Sequence, residues 1–455
     1  MTLVRETESQ EFRWRYFVCG FLILHVIGAF GSFSRLYYGE FQGGFTATTK
    51  LAVIFNLGFV TACIFLFFGR IRRAAAFNTG ELLAISLASF FLISTAWSND
   101  PATTLRRGGL FAFFVLGVIG VAADLTDTQF VRLVYKACLL CAFASIVVVV
   151  VSPSNGLGVP EFFDTTSDIT DSFGWRGIFS QKNALGQVMA FGALASAHSI
   201  RAAASAKMRF WGIANSTLFL AVAVASRSST SILVILLLYS ATLIILLYRR
   251  GGFARFLGVS VVALLLLGIL TFALSPDIFF ELMGKDATLT GRTELWELVQ
   301  AEISRRPIIG WGYFAFWTPA NPTALEISAQ LGWLVPHAHN GILEMLLELG
   351  VTGTLLMLVV FFRSIWCAWR CTRTSSNELG ISSLLTCGAV IITGITESVL
   401  LDFSGGWTIA FFVLWIMCES RATKERNSRR TYHQTNFRGK TASFGREPQD
   451  HRSWS

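Results

Sequence analysis

Ser229-Thr230-Ser231-Ile232-Leu233-Val234-Ile235-Leu236-Leu237-Leu238-Tyr239-Ser240-Ala241-Thr242-Leu243-Ile244-Ile245-Leu246-Leu247-Tyr248 is an uncharged run closed by Arg249-Arg250 and preceded by Ser226-Arg227-Ser228. At about 1.5 Å per residue, a helix of this length matches the roughly 30 Å hydrocarbon core of a bilayer. In lipid each backbone polar group must be satisfied within the segment, which a helix achieves. Comparable runs recur on both sides. Twelve spans are expected, near 16–34, 49–68, 80–97, 108–124, 133–152, 183–199, 209–226, 229–248, 255–274, 341–362, 379–397 and 405–420. The fold class that follows is all-α, a polytopic integral membrane protein of about twelve transmembrane helices.

Composition agrees. Of 455 residues, 53% are hydrophobic and 14% charged, against about 25% charge in a soluble domain, and mean hydropathy is +0.57. The net charge of +9 does not call for nucleic acid, because membrane proteins concentrate Lys and Arg on their cytoplasmic side. With both termini cytoplasmic, 26 of the 37 basic residues fall on inner segments. The first apolar stretch has no small-residue cleavage site after it and reads as an uncleaved anchor. The eight cysteines lie in spans or on the inner face, so no disulfide framework is expected. Cys367 and Cys371, one turn apart, read as incidental thiols.

The chain then divides into a cytoplasmic N-terminus (1–15), nine spans (16–274) with an outer loop at 153–182, a large outer loop (275–340), three spans (341–420) and a basic tail (421–455) expected to be disordered. Within the large loop, Leu295, Trp296, Val299 and Ile303 share one helical face. That pattern predicts an amphipathic helix lying on the membrane surface. The cluster Trp311, Tyr313, Phe314, Phe316 and Trp317 reads as an interfacial aromatic belt, with sugar stacking as the alternative.

Eleven basic residues sit on the outer side, where topology does not require them. Arg35, Lys50, Arg106 and Arg107 flank early spans and snorkel. Arg176, Lys182, Arg227, Lys285, Arg292, Arg305 and Arg306 gather in or beside the two long loops and the tight turn at Arg227. Guanidiniums form paired hydrogen bonds with phosphate oxygens, so Arg176, Arg227 and Arg292 are candidates for holding a diphosphate. Lipid-phosphate contact is the competing reading. Val335-Pro336-His337-Ala338-His339-Asn340 contains the two outer-face histidines. An imidazole can take a proton from a hydroxyl nucleophile. A metal site completed by Asp164, Asp168 and Asp171, or simple hydrogen bonding at a helix start, are the alternatives. Glu344 and Glu348 share a helix face and could pair with the arginines or assist the base.

Four segments together resemble a known family. Trp175-Arg176-Gly177-Ile178-Phe179-Ser180-Gln181-Lys182-Asn183-Ala184-Leu185-Gly186 is similar to an R-G-x-F-x-x-K-N-x-L-G motif, and Ser226-Arg227-Ser228-Ser229 to an S-R-S turn. Gly291-Arg292 through Trp296 with Arg306-Pro307-Ile308-Ile309-Gly310-Trp311-Gly312 is similar to a G-R…W…P-x-x-G-x-G block. His337-Ala338-His339-Asn340-Gly341-Ile342-Leu343-Glu344, then Glu348-Leu349-Gly350, is similar to H-x-H-N-x-x-L…E-x-G. Trp97-Ser98-Asn99-Asp100-Pro101 is a weaker fifth match. The family is that of the O-antigen ligases and Wzy-type polysaccharide polymerases, with the exopolysaccharide-production branch the most similar.

The resemblance implies a GT-C-like fold in the bacterial inner membrane. It implies metal-independent, cofactor-free, inverting glycosyl transfer on the periplasmic face from an undecaprenyl-diphosphate-linked glycan donor to a glycan acceptor. Arg176, Arg227 and Arg292 would then hold the diphosphate, with His339 as general base and Asn340 capping the helix start. Lys182, His337 and Glu344 would line the substrate site. Membrane lipids and a chain-length regulator are the expected partners, and nucleic acid is not. A ligase acting on lipid A-core or protein is the alternative. A transporter or flippase fits the span count, but would carry ionisable sites near the midplane and commonly internal repeats.

Overall fold

The computed structural model describes residues 2–29, 47–73, 76–157, 174–260, 292–374, 377–395, 397–398, 401–402 and 405–423. Arg35, Asp164, Asp168, Asp171, Lys285, most of the ninth expected span and the basic tail lie outside them. The helices are α1 (Thr2–Val26), α2 (Ala47–Arg72), α3 (Thr79–Ile93), α4 (Pro101–Asp124), α5 (Asp127–Val151), α6 (Lys182–Arg201), α7 (Ala206–Ala225) and α8 (Ser229–Arg250). They continue with α9 (252–260), α10 (Arg292–Arg305), α11 (Pro322–Leu331), α12 (Gly341–Cys371), α13 (Asn377–Gly394) and α14 (406–423). No β-strand occurs among the described residues. Among the described residues a helix stands at eleven of the twelve expected spans, α9 covers only the start of the ninth, and eight helices are long and apolar enough to cross a membrane. The chain is an integral membrane protein.

Two helices form the centre. Residues 407–419 of α14 are buried throughout, and α6 is buried from Leu185 to Arg201 except for the half-buried Gln187 and Ser199. α6 is rich in Gly, Ala and Ser, which lowers its hydropathy but lets neighbours approach closely. A Cβ on Gly192 would stand 2.8 Å from the Phe219 ring, and one on Gly406 2.7 Å from Phe191. Peripheral helices are apolar on both faces. In α8, Val234, Ile235 and Leu238 are buried while Leu233, Leu236 and Leu243 are about half exposed, as expected of a helix with lipid on one side.

Ion pairs gather at one end of the bundle. Arg15 meets Asp124 at 3.0 Å, Arg70 meets Glu81 at 2.8 Å, and Arg363 meets Glu419 at 2.6 Å. Glu378 bridges Arg201 at 3.0 Å and Arg249 at 2.6 Å. Arg70 ends α2 and Glu81 lies in the first turn of α3, where its carboxylate also accepts from Asn78 N in a capping box. These are the ends to which the charge pattern assigned the inner cations.

At the other end a second hydrophobic core lies outside the bundle. Leu295, Val299, Phe316, Ala324, Ile327, Val335, Ala338 and Leu347 form it. The expected amphipathic helix is present as α10, but its apolar face covers this protein core instead of lying on lipid. The aromatic belt is likewise corrected. Tyr313 and Phe316 are fully buried, and Tyr313 stacks on Phe91 with ring centroids 4.2 Å apart. Burial holds its phenol well above the ordinary tyrosine range. Trp296 and Trp311 donate to the carbonyls of Ala338 and Glu302, at 3.0 and 3.1 Å.

The outer body is fastened to the bundle by backbone pairing. α12 breaks at Gly350, whose φ of 62° and ψ of −170° are not helical. The break frees groups that segment 307–312 takes up. Trp311 N and Gly312 N donate to Leu347 O and Glu348 O at 3.0 and 2.9 Å. Val351 N and Thr352 N donate to Pro307 O and Ile308 O at 2.8 and 3.0 Å. Gly310 and Gly350 face each other here, a Cβ on either lying within 2.6 Å of the other's amide nitrogen. Trp97-Ser98-Asn99-Asp100-Pro101 joins the same assembly. Asn99 N donates to Trp311 O, Trp97 Nε1 to Ile309 O, both at 3.0 Å, and Asp100 caps α4. The Thr103 amide donating to Asp100 holds that carboxyl below its ordinary range. Three of the motifs thus form a clamp.

Candidate functional site

The remaining motifs converge beside that clamp. Trp175 N donates to Ala225 O at 2.9 Å, so the Arg176 segment lies against the Arg227 turn. A Cβ on Gly174 would sit 2.4 Å from Ser226 O and 3.3 Å from the Lys182 side chain. Gly177, at φ +57°, packs on Ser145, and Gly186 packs on Ser228 and Ser231. Gly174 and Gly186 therefore let the Arg176 segment and the start of α6 close on the Ser226–Ser228 turn, and Gly177 lets the same segment close on α5. Arg227 itself has a positive φ of 53°, an uncommon conformation for a side chain this large.

Arg176 is 6% exposed. Its Nε donates to Asn155 O at 3.1 Å and a terminal nitrogen to Ser154 O at 3.4 Å. It braces the turn Pro153–Gly156, a structural task that its sequence position did not announce. Arg292 begins α10; its side chain lies outside the described set.

The histidine loop meets α6 through Glu397, a residue that no sequence motif singles out. Glu397 Oε1 accepts from Asn183 Nδ2 at 3.3 Å, and Oε2 lies 3.6 Å from His337 Nε2. His339 N donates to His337 Nδ1 at 3.1 Å, which makes Nδ1 an acceptor and leaves Nε2 to carry the proton of the neutral ring. The two imidazoles lie 4.0 Å apart by centroid, and Trp333 lies 5.6 Å from His339. His339 has a φ of 49°, a constraint typical of functional positions.

Asn340 caps α12, its side chain accepting from Ile342 N at 3.0 Å and Leu343 N at 3.1 Å. Glu344 and Glu348 share the expected face, and both are buried. Their hydrogen bonds come from elsewhere than the arginines: Glu344 accepts from Ala338 N at 2.6 Å and Trp317 Nε1 at 3.3 Å. Glu348 accepts from Phe314 N. Glu344 thus shapes the histidine loop from below.

His337, His339 and Glu397 offer ligand atoms within 4.8 Å of one another, a spacing that admits a cation. In the present arrangement the Nδ1 of His337 and both oxygens of Glu397 are already engaged. The acidic residues considered for such a site, Asp164, Asp168 and Asp171, lie outside the described residues.

Residues 214–358 match the family model described as O-Antigen ligase. The chain is thus similar to that family over these residues. It is also 27% identical over 166 residues to the "Exopolysaccharide production protein ExoQ" of Rhizobium meliloti (strain 1021), a match covering 35% of this chain and 35% of that relative. The chain thus spans about a third of the length of the curated relative it matches. The matched region runs from within α7 to within α12. It contains Arg227, Arg292, His337, His339, Asn340 and Glu344, whereas Arg176, Lys182, Asn183 and Glu397 come from flanking helices and loops. The signal for Glu397 was faint: a carboxylate at the outer end of an apolar span needs a polar neighbour.

Proposed function

We propose that the protein is a polysaccharide polymerase that joins undecaprenyl-diphosphate-linked repeat units into exopolysaccharide or a related surface polymer. The reaction is an inverting glycosyl transfer at the periplasmic face of the bacterial inner membrane, with both termini cytoplasmic. The observation that carries this reading is the Asn183–Glu397–His337 contact, which joins the basic turns around Lys182 and Arg227 to the imidazole pair. Departure of a lipid diphosphate requires cationic stabilisation, and attack by a sugar hydroxyl requires alignment and a proton acceptor.

In this reading Arg176, Arg227 and Arg292 hold the diphosphate, with Lys182 lining the substrate site. His339 accepts the hydroxyl proton. His337, Asn340 and Glu344 set the loop that presents it. The polyprenyl chain stays in the bilayer, which explains a site built at the end of the spans.

Replacing Arg292 or His339 with Ala in the producing strain tests it. Polymer is lost while the protein remains inserted, and normal polymer from both variants refutes the assignment. The description of the matched family favours a ligase as the second reading. A deletion strain separates the two: a polymerase mutant keeps only single repeats, whereas a ligase mutant accumulates long lipid-linked chains.

A further inference from the structure

The opposite end of α12 carries a site of different chemistry. A cavity of about 260 Å³ is lined there by Trp366, Trp369, Arg370, Arg373 and Arg421, with Cys371 and Thr374 in its wall. It lies at the end of α12 opposite the histidine loop. Trp366 and Trp369 are 51% and 39% exposed, with ring centroids 5.2 Å apart. Arg373 lies over the Trp369 ring at 3.9 Å.

The charges are unbalanced. Arg421 lies 3.7 Å from Asp127, but neither Arg370 nor Arg373 forms an ion pair among the described residues. The nearby carboxylates are engaged: Glu419 with Arg363, and Glu378 with Arg201 and Arg249. Three guanidiniums therefore line a cavity at the end of a spanning helix, beside two half-exposed indoles, with Asp127 next to one of them. Indoles at the end of a span sit at headgroup level, and basic pockets between helices there suit anionic headgroups. The tail that follows is itself basic, so charge complementarity does not direct it into the cavity.

We propose that Arg370, Arg373 and Arg421 bind the phosphodiester of an anionic phospholipid, with Trp366 and Trp369 packing on its glycerol and upper acyl region. The shared chemistry is phosphate recognition by paired guanidinium hydrogen bonds, and the lipid source is distinguished by experiment. The full chain in detergent is titrated, by native mass spectrometry, with phosphatidylglycerol, with phosphatidylcholine and with inorganic phosphate.

Phosphatidylglycerol binds in preference to phosphatidylcholine, and millimolar inorganic phosphate does not displace it. The double variant Arg370→Gln/Arg373→Gln weakens phosphatidylglycerol binding about thirtyfold, each basic residue near an anionic lipid contributing roughly fivefold. Arg370→Lys/Arg373→Lys retains most of it. Should the double glutamine variant not be recovered folded, Arg370→Gln alone is read, with a loss of about fivefold. Equal binding of the two lipids, or unchanged phosphatidylglycerol binding in the glutamine variants, overturns the proposal. Displacement by inorganic phosphate overturns the lipid assignment.

Discussion

Replacing Gly350 with Ala tests the clamp between the outer body and the bundle. The backbone there (φ 62°, ψ −170°) belongs to a region populated essentially by glycine, and holding another residue in it costs about 1–3 kcal/mol. The new methyl would also sit 2.4 Å from the Ile308 carbonyl carbon and oxygen and 2.6 Å from Gly310 N. These are backbone atoms, so segment 307–312 must move, and the four cross-links between 307–312 and 347–352 are stretched. Losing two of them, at about 1 kcal/mol each, brings the total to about 3–5 kcal/mol. Gly388→Ala is the control. Nothing lies within 4 Å of its Cβ position in α13, and Ala stabilises a helix interior by about 0.5–1 kcal/mol over Gly. Thermal unfolding of both variants in one detergent, followed by fluorescence, gives the comparison. A Gly350→Ala protein as stable as the parent would refute the reasoning.

Four further outcomes are expected. Glu397→Ala separates Asn183 from His337 and lowers polymer in the producing strain at least as far as Asn183→Ala does, with membrane protein levels unchanged; undiminished polymer would remove the contact from the site. Glu378→Ala leaves the Arg201 guanidinium, with 0% side-chain exposure, facing only the hydroxyls of Thr242 and Ser382. The expected loss is about 3–5 kcal/mol, read in the same unfolding assay. Tyr313→Phe removes the hydroxyl that donates to Leu401 O in a fully buried setting, at about 1–3 kcal/mol. Burial raises the Glu302 carboxyl above its ordinary 4.5, so its contribution is present below that value and is lost as pH rises through the folded one. The stability difference between Glu302→Gln and the parent therefore grows with pH from that point, and a pH-independent difference would contradict it.

The spans were legible because a bilayer demands long apolar helices, and the charge pattern located the ends where Arg70, Arg201 and Arg363 find their acids. α6 was expected although its Gly and Ala content lowers its hydropathy, but its place at the centre depends on what packs into those gaps. The apolar face of α10 was also readable from spacing. Its destination was not, since periodicity records that a face is covered without naming the cover. The motifs divide in the same way. The family resemblance marked Gly310, Gly312 and Gly350, and their work is backbone approach between segments about forty residues apart. Arg176 reads in sequence as a ligand-binding cation, and the fold adds a contact that sequence does not show, to the carbonyls of Asn155 and Ser154. Glu397 went unnoticed because its partners, Asn183 and His337, lie far from it along the chain.

The break at Gly350 has a consequence for engineering. Anyone exchanging the body outside the bundle between relatives would be tempted to cut at the nominal start of α12, near Gly341. The pairing of Pro307 and Ile308 with Val351 and Thr352 means that such a graft would split a bonded seam, leaving its two sides from different parents. A transplant that keeps its seam intact must run beyond Thr352, and should also carry the Trp97–Pro101 stretch that docks on it. The unit of exchange is therefore discontinuous in the chain.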